Sequence, residues 1–186
     1  MLYVMRHGKT DWNMQTRLQG RTDIPLNTIG RDMAIAAREK YRDVHFDVCY
    51  RSPLCRAKET AELFLEDREI EIIPDDRLTE ISFGIYEGCA IPELPKDTPI
   101  TTFLKDPGNY RGAEGGETLE ELFARTGSFL KEVVEPRLAK GEDVLIVGHG
   151  AMNSAIICQV RQLTADHLWD LGIENCKLMA LTYPGN

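Results

Sequence analysis

The chain has 186 residues, 42% of them hydrophobic and 28% charged, with a formal net charge of −8 at pH 7. That length suits one domain over residues 1–186 that buries roughly 70% of its unfolded surface, and the acidic balance argues against a nucleic-acid partner, which needs a basic face. No apolar run approaches the ~20 residues that cross a bilayer, the strand-length start after Met1 is too short for a signal peptide, and five cysteines without a C-x-x-C pair read as reduced thiols of a cytoplasmic protein.

In chain order, Leu2–Met5 is a buried strand that ends in Arg6-His7-Gly8, which delivers a cation and an imidazole to the carboxyl edge of a sheet, where open α/β sheets bind ligands. Residues 8–27 form a long irregular segment of turn formers, Asn13, Gln19-Gly20, Asp23 and Pro25, and read as a functional loop. A helix follows from about Gly30 to Tyr41, then a strand over Phe46–Tyr50. Ser52-Pro53 opens the next helix, the hydroxyl as cap and the proline at the first position. Arg56 lies in its first turn with Thr60 one turn on, either serving an anion there or pairing on the surface with Glu59 or Glu62.

Glu69–Pro74 alternates as a strand and leads into a glycine-punctuated segment carrying Glu80 and Glu87. Residues 89–116 combine Pro92, Pro95, Pro99 and Pro107 with four glycines, which predicts a short loop-rich lid insertion with small helices near Ile91–Leu94 and Pro99–Leu104. Thr118 to Glu121 is a capping box opening a helix to about Ala139, with Pro136 at its last turn or a kink. Asp143–Val147 is a second buried strand that ends in His149-Gly150 and enters a helix to about Val160. Leu163–Leu171 reads as a short helix and Lys177–Tyr183 as an edge strand. Strands alternating with helices predict an α/β fold, a three-layer α/β/α sandwich around a mostly parallel central sheet.

If the strands ending in His7 and His149 neighbour the one that feeds Arg56, then Arg6, His7, Arg56 and His149 form a cationic cup. Such a cup suits a phosphoryl group, whose oxygens take bidentate guanidinium donors. The net acidity does not oppose this, because screening over roughly 8 Å leaves the local cations to set the potential. The four histidines show no metal-ligand spacing, so neither metal nor other cofactor is expected. His45 and His167 read as surface residues, Trp12 as packing, and Lys9, Arg17 and Arg21 as either cavity-mouth or solvated cations.

Several separated motifs carry a resemblance: Arg6-His7-Gly8-x-Thr10-x-Trp12-Asn13, Leu18-Gln19-Gly20-x-x-Asp23-x-Pro25-Leu26-x-x-x-Gly30, Ser52-Pro53-Leu54-x-Arg56-Ala57-x-x-Thr60-Ala61, Leu78-x-Glu80-x-x-Phe83-Gly84-x-x-Glu87-Gly88, Gly116-Glu117-Thr118 and Val147-x-His149-Gly150. Over essentially its full length the chain resembles the histidine phosphatase superfamily, phosphoglycerate mutase-like branch. The resemblance implies a phosphoglycerate mutase-like fold with His7 as transiently phosphorylated nucleophile and Arg6, Arg56 and His149 binding the transferred group. It further implies Glu80 as proton donor, preferred over the rival acid Glu87 on motif position alone, and Asn13, Gln19, Gly20 and Gly150 on the phosphate and substrate side. The expected reaction is metal-independent hydrolysis of a small phosphorylated metabolite, as in the alpha-ribazole-phosphate and broad-specificity branches. A mutase and an inactive phosphate-binding module are the alternatives; a mutase of this family carries an arginine pair in the insertion, where this chain has only Lys96, Lys105 and Arg111. The expected assembly is a monomer or homodimer.

Overall fold

The computed structural model describes residues 1–183. Its centre is one sheet of β1 (Leu2–Arg6), β2 (Val48–Arg51), β3 (Glu71–Pro74), β4 (Val144–Gly148) and β5 (Leu178–Leu181), in the order β3-β2-β4-β1-β5. β4 lies between β1 and β2, parallel to both, with Val144 in register with Leu2 on one side and Val48 on the other. β5 runs antiparallel to β1 at the edge. All five residues of β4 are buried, as expected of a strand covered on both faces.

Alternation of side chains across the pleat divides the core in two. The helices are α1 (Asp11–Met14), α2 (Thr28–Lys40), α3 (Cys55–Phe64), α4 (Pro99–Lys105), α5 (Leu119–Phe129), α6 (Glu135–Leu138) and α7 (Gly150–Val160). Leu2, Val4, Val48, Tyr50, Val144 and Ile146 face one side of the sheet and pack against α5 and α7. Met5, Cys49, Leu145 and Val147 face the other side, against Ala34 and Ala37 of α2 and Ala57, Ala61 and Phe64 of α3. Small residues on α2 and α3 let the two helices approach closely. Helices thus cover both faces of a mostly parallel sheet, the fold class that the alternation of elements predicts.

Three local readings change and one gains detail. The segment 8–27 is not wholly irregular: Thr10 caps α1, accepting from the Asn13 amide while the Asn13 side chain accepts from the Thr10 amide. α3 begins at Cys55 rather than at Ser52-Pro53, because Leu54 is still extended (φ −61°, ψ 139°) and the Cys55 amide donates to Asp23 Oδ1 at 2.8 Å. Pro136 falls in the last turn, α6, as the sequence predicts, and a π-helical turn, Leu130–Val134, precedes it, where the Glu135 amide reaches back to Leu130 O; the missing proline N–H breaks the ordinary ladder. Only a 3₁₀ turn, Ala165–His167, forms in the segment predicted as a short helix.

The insertion over residues 89–116 is a packed wall. Ile100, Phe103 and Tyr110 are buried, and the Phe103 ring meets those of Phe83, Tyr110 and Trp169 edge-on at 5.0–5.2 Å. The Trp169 indole donates to Phe103 O at 2.9 Å, tying α4 to the segment before β5. No helix among the described residues is long and apolar enough to cross a membrane.

Candidate active site

Because β1 and β4 are parallel neighbours in matched register, their carboxyl ends release His7 and His149 at one sheet edge. The backbone ties this edge further: the His7 amide donates to Gly148 O at 2.9 Å, and the Ser52 amide to Val147 O at 3.1 Å. The two imidazoles, 142 positions apart in the chain, stand with ring centroids 5.2 Å apart at 61°. His7 Nδ1 lies 2.6 Å from Gly8 O. A carbonyl only accepts, so Nδ1 carries the proton and Nε2 presents a lone pair. Burial, and the charges of Arg56 and Arg6, hold the His7 ring well below the ordinary histidine range, so it is neutral at pH 7.

Gly8 is required for a different approach from the one its place suggests. A Cβ there would sit 2.3 Å from Gly30 O, and one on Gly30 would sit 2.1 Å from Lys9 O. The start of α2 therefore lies directly on the backbone after His7, with the Asn27 amide donating to Lys9 O at 3.0 Å.

Arg56 is fully buried and makes no surface ion pair; Glu59 pairs instead with Arg31, and Glu62 with Lys58. Its guanidinium donates to Gly20 O at 2.7 Å and Thr22 O at 2.8 Å. The Thr60 hydroxyl, donating to Arg56 O at 2.6 Å and accepting the Gly8 amide at 3.0 Å, couples α3 to the end of β1. Arg6 donates to Ile173 O at 3.1 Å. Burial lowers the proton affinity of both guanidiniums, and Glu80 partly restores it.

Among the described residues, Arg6 Nε, Arg56 Nε and His149 Nδ1 are buried without a hydrogen-bond partner. Each orphaned buried group costs about 1–3 kcal/mol, a cost that an anion bound among them would remove. The neutral side chains are arranged to the same end. The Thr10 hydroxyl donates to Gln19 Oε1 at 2.8 Å and the Thr10 amide to Asn13 Oδ1 at 3.0 Å, so both side-chain amide oxygens are occupied and both NH2 groups remain as donors. Gly150 opens α7, and its N–H has no partner within the helix. Arg6, His7, Asn13, Gln19, Gly20, Arg56, Glu80 and Gly150 all line one cavity of about 270 Å³. His149 lies fully buried beside them, against His7.

The two glutamates separate clearly. Glu80 lines the cavity, and its carboxylate accepts the amides of Met152 (2.9 Å), Ile81 (3.0 Å) and Ala151 (3.2 Å), at the start of α7. Glu87 is a brace: its oxygens accept the amides of Thr22 (2.9 Å), Arg21 (3.0 Å) and Phe83 (3.1 Å) and the hydroxyls of Thr22 and Ser82. It stabilises the loop whose carbonyls grip Arg56, where Gly20 adopts a φ of +53° and a Cβ would strike the Glu87 carboxylate.

Trp12 packs on Gly88, while His45 and His167 sit at the surface beside Asp47 and Asp170. Arg17 lines the cavity and Arg21 pairs with Glu117. Sequence reasoning missed Asn175, whose side-chain amide donates to His7 O at 2.6 Å, and the partnership of Ser52 with His149. No local pattern marks Asn175. No group of three or more His, Cys, Asp or Glu suited to hold a metal occurs among the described residues.

A family model described as the histidine phosphatase superfamily (branch 1) matches residues 2–186. The uncharacterized phosphatase PhoE of Bacillus subtilis is 37% identical over 157 residues, covering 84% of this chain and 75% of that protein. A 2,3-bisphosphoglycerate-dependent phosphoglycerate mutase 2 of Gloeobacter violaceus is 30% identical over 187 residues, covering 98% and 85%. Among solved structures, a mycobacterial glucosyl-3-phosphoglycerate phosphatase in complex with VO3 superposes with a TM-score of 0.84 at 28% identity, covering 95% of this chain and 90% of that one.

Proposed function

The chain belongs to branch 1 of the histidine phosphatase superfamily, and from that membership we propose that it is a metal-independent phosphomonoesterase passing the phosphoryl group of a small metabolite through His7. The observation that carries this reading is the convergence of a neutral imidazole, its Nε2 lone pair unengaged, with two buried guanidiniums and a second imidazole whose Nδ1 has no partner. His7 Nε2 attacks phosphorus while the bond to the alcohol oxygen breaks. Arg6, Arg56, His149 and the Gly150 amide hold the equatorial oxygens, and the Asn13 and Gln19 amides add neutral donors. Glu80 gives its proton to the departing alcohol, then takes one from the water that cleaves the phosphohistidine.

Hydrolysis is favoured over mutase chemistry by the cavity beyond the cup. Its wall is apolar, built from Leu18, Phe83, Ile91, Phe103, Leu104 and Trp169. The cation in that wall, Arg17, is already engaged by Gly88 O at 2.7 Å and Gln15 Oε1 at 2.8 Å. Lys96, Lys105 and Arg111 do not line the cavity, so no cation of the insertion is placed there to hold a substrate carboxylate. Five free cysteines fit a reducing cytoplasm, which is part of the same proposal.

The test is turnover of p-nitrophenyl phosphate in the presence of chelator, with His7→Ala alongside. Chelator-insensitive turnover that disappears in the variant supports the reading; turnover that persists in the variant refutes it. Faster conversion of 3-phosphoglycerate to its isomer, given a trace of 2,3-bisphosphoglycerate, than release of phosphate would assign the chain to the mutases.

A further inference from the structure

Ser52 is fully buried at the end of β2, and its hydroxyl has two partners among the described residues. It accepts the Leu54 amide at 3.3 Å and lies 2.7 Å from His149 Nε2. An amide only donates, so Nε2 is the one acceptor available to the hydroxyl proton. We infer that Ser52 is a positioning residue that donates to His149 Nε2 and so locks the neutral ring with its proton on Nδ1, the nitrogen that meets the phosphoryl oxygen.

Three observations agree. His149 is fully buried and faces the charges of Arg56, Arg6 and Arg125, all of which oppose a second proton on the ring; with one proton to place, the tautomer decides what the ring can do. Nδ1 is the ring nitrogen left without a partner. The reverse tautomer would bury the Ser52 proton with no acceptor and turn an Nδ1 lone pair toward an anionic oxygen, two unfavourable contacts at once.

The same device, inverted, acts on His7. There a carbonyl, Gly8 O, can only accept; it draws the proton to Nδ1 and leaves Nε2 to attack. In the second ring a hydroxyl donates to Nε2 and leaves Nδ1–H to bind. Two imidazoles 5.2 Å apart thereby take opposite roles, one nucleophile and one donor, through the chemistry of a single fixed neighbour each.

This inference rests on the phosphoryl-transfer reading, and its test separates the two. Histidine labelled with ¹⁵N distinguishes ring tautomers by the shifts of the two nitrogens. In the wild-type protein His149 should show a protonated Nδ1 and an unprotonated Nε2, and His7 the same pattern set by its carbonyl. Ser52→Ala should mix or reverse the His149 tautomer, leave that of His7 unchanged, and weaken inorganic phosphate binding about 10- to 100-fold. Ser52→Thr, which retains the hydroxyl, should restore both. A wild-type His149 protonated on Nε2 overturns the inference even if Ser52→Ala does not fold. Wild-type turnover through a phosphorylated His7 together with that result would leave the phosphatase reading standing. Ser52→Ala binding phosphate as tightly as wild type would also overturn it.

Discussion

Replacing Glu80 by glutamine removes the proposed acid while nearly conserving shape. The carboxylate accepts Ile81 and Met152 amides on Oε1 and the Ala151 amide on Oε2. Glutamine can keep its oxygen toward the first two, but then turns its NH2 group toward the Ala151 N–H. One unpaired donor costs about 1–3 kcal/mol of stability, so the variant should fold. Loss of general acid catalysis costs about 10²–10⁴ in rate, or roughly 2.7–5.4 kcal/mol of barrier. The loss should depend on the leaving group. An alkyl phosphate such as glycerol phosphate must receive a proton as it departs, whereas p-nitrophenolate leaves without one. Stopped-flow measurement with p-nitrophenyl phosphate should therefore show a burst of one equivalent of p-nitrophenolate, followed by slow hydrolysis for want of a base. With the alkyl ester no burst should appear. An equal reduction of the phosphorylation step for both esters, or a reduction below about tenfold for the alkyl ester, would refute Glu80 as the acid.

Other substitutions test the scaffold. Glu87→Ala strips the acceptor from three amides and two hydroxyls at once; it should lower stability by about 3 kcal/mol, a fall of roughly 6–12 °C in melting temperature, and its residual activity should show no leaving-group dependence. Gly8→Ala forces a methyl group against Gly30 O, a backbone atom with nowhere to move, and should destabilise by at least about 1–3 kcal/mol in urea titration; unchanged stability would mean the end of β1 and the start of α2 are not in contact. The pH dependence of stability follows from the two buried rings, both held well below the ordinary histidine value. Unfolded imidazoles take up protons as pH falls below about 6.5 while the buried ones do not, so the unfolded state binds more protons and stability falls toward acid. Each ring contributes up to about 1.4 kcal/mol per pH unit, and His149→Asn should remove about half of the slope in urea midpoints measured without phosphate between pH 6.5 and 5.

What could be read from the chain depended on whether the information was local. β1 and β4 announce themselves because an apolar run is cut by His-Gly, and Thr118 to Glu121 because a capping box lies within four residues. That β4 lies between β1 and β2 is a matter of pairing across the chain, and periodicity carries no record of it. Ser52 shows the limit most sharply. Serine before proline has the grammar of a helix start, yet its hydroxyl serves an imidazole 97 residues away and Asp23 supplies the cap from 32 residues back. Glu80 and Glu87 stand in one glycine-punctuated segment with the same chemistry; the tertiary surroundings of each, α7 and the cavity in one case and the Gly20–Thr22 loop in the other, tell the cavity-lining carboxylate from the brace. The buried state of Arg56 was likewise a tertiary fact, since its carbonyl partners lie 34 and 36 positions earlier.

The central claim is that phosphoryl transfer passes through Nε2 of His7, because Gly8 O occupies Nδ1. Quenching a reaction with radiolabelled phosphate ester into alkali, which preserves phosphohistidine, and mapping the label by peptide and by isomer tests it most directly. The account predicts label on His7, on the Nε2 isomer alone, and none in His7→Ala. Label on Nδ1 or on any other residue, or full turnover by His7→Ala, would contradict it.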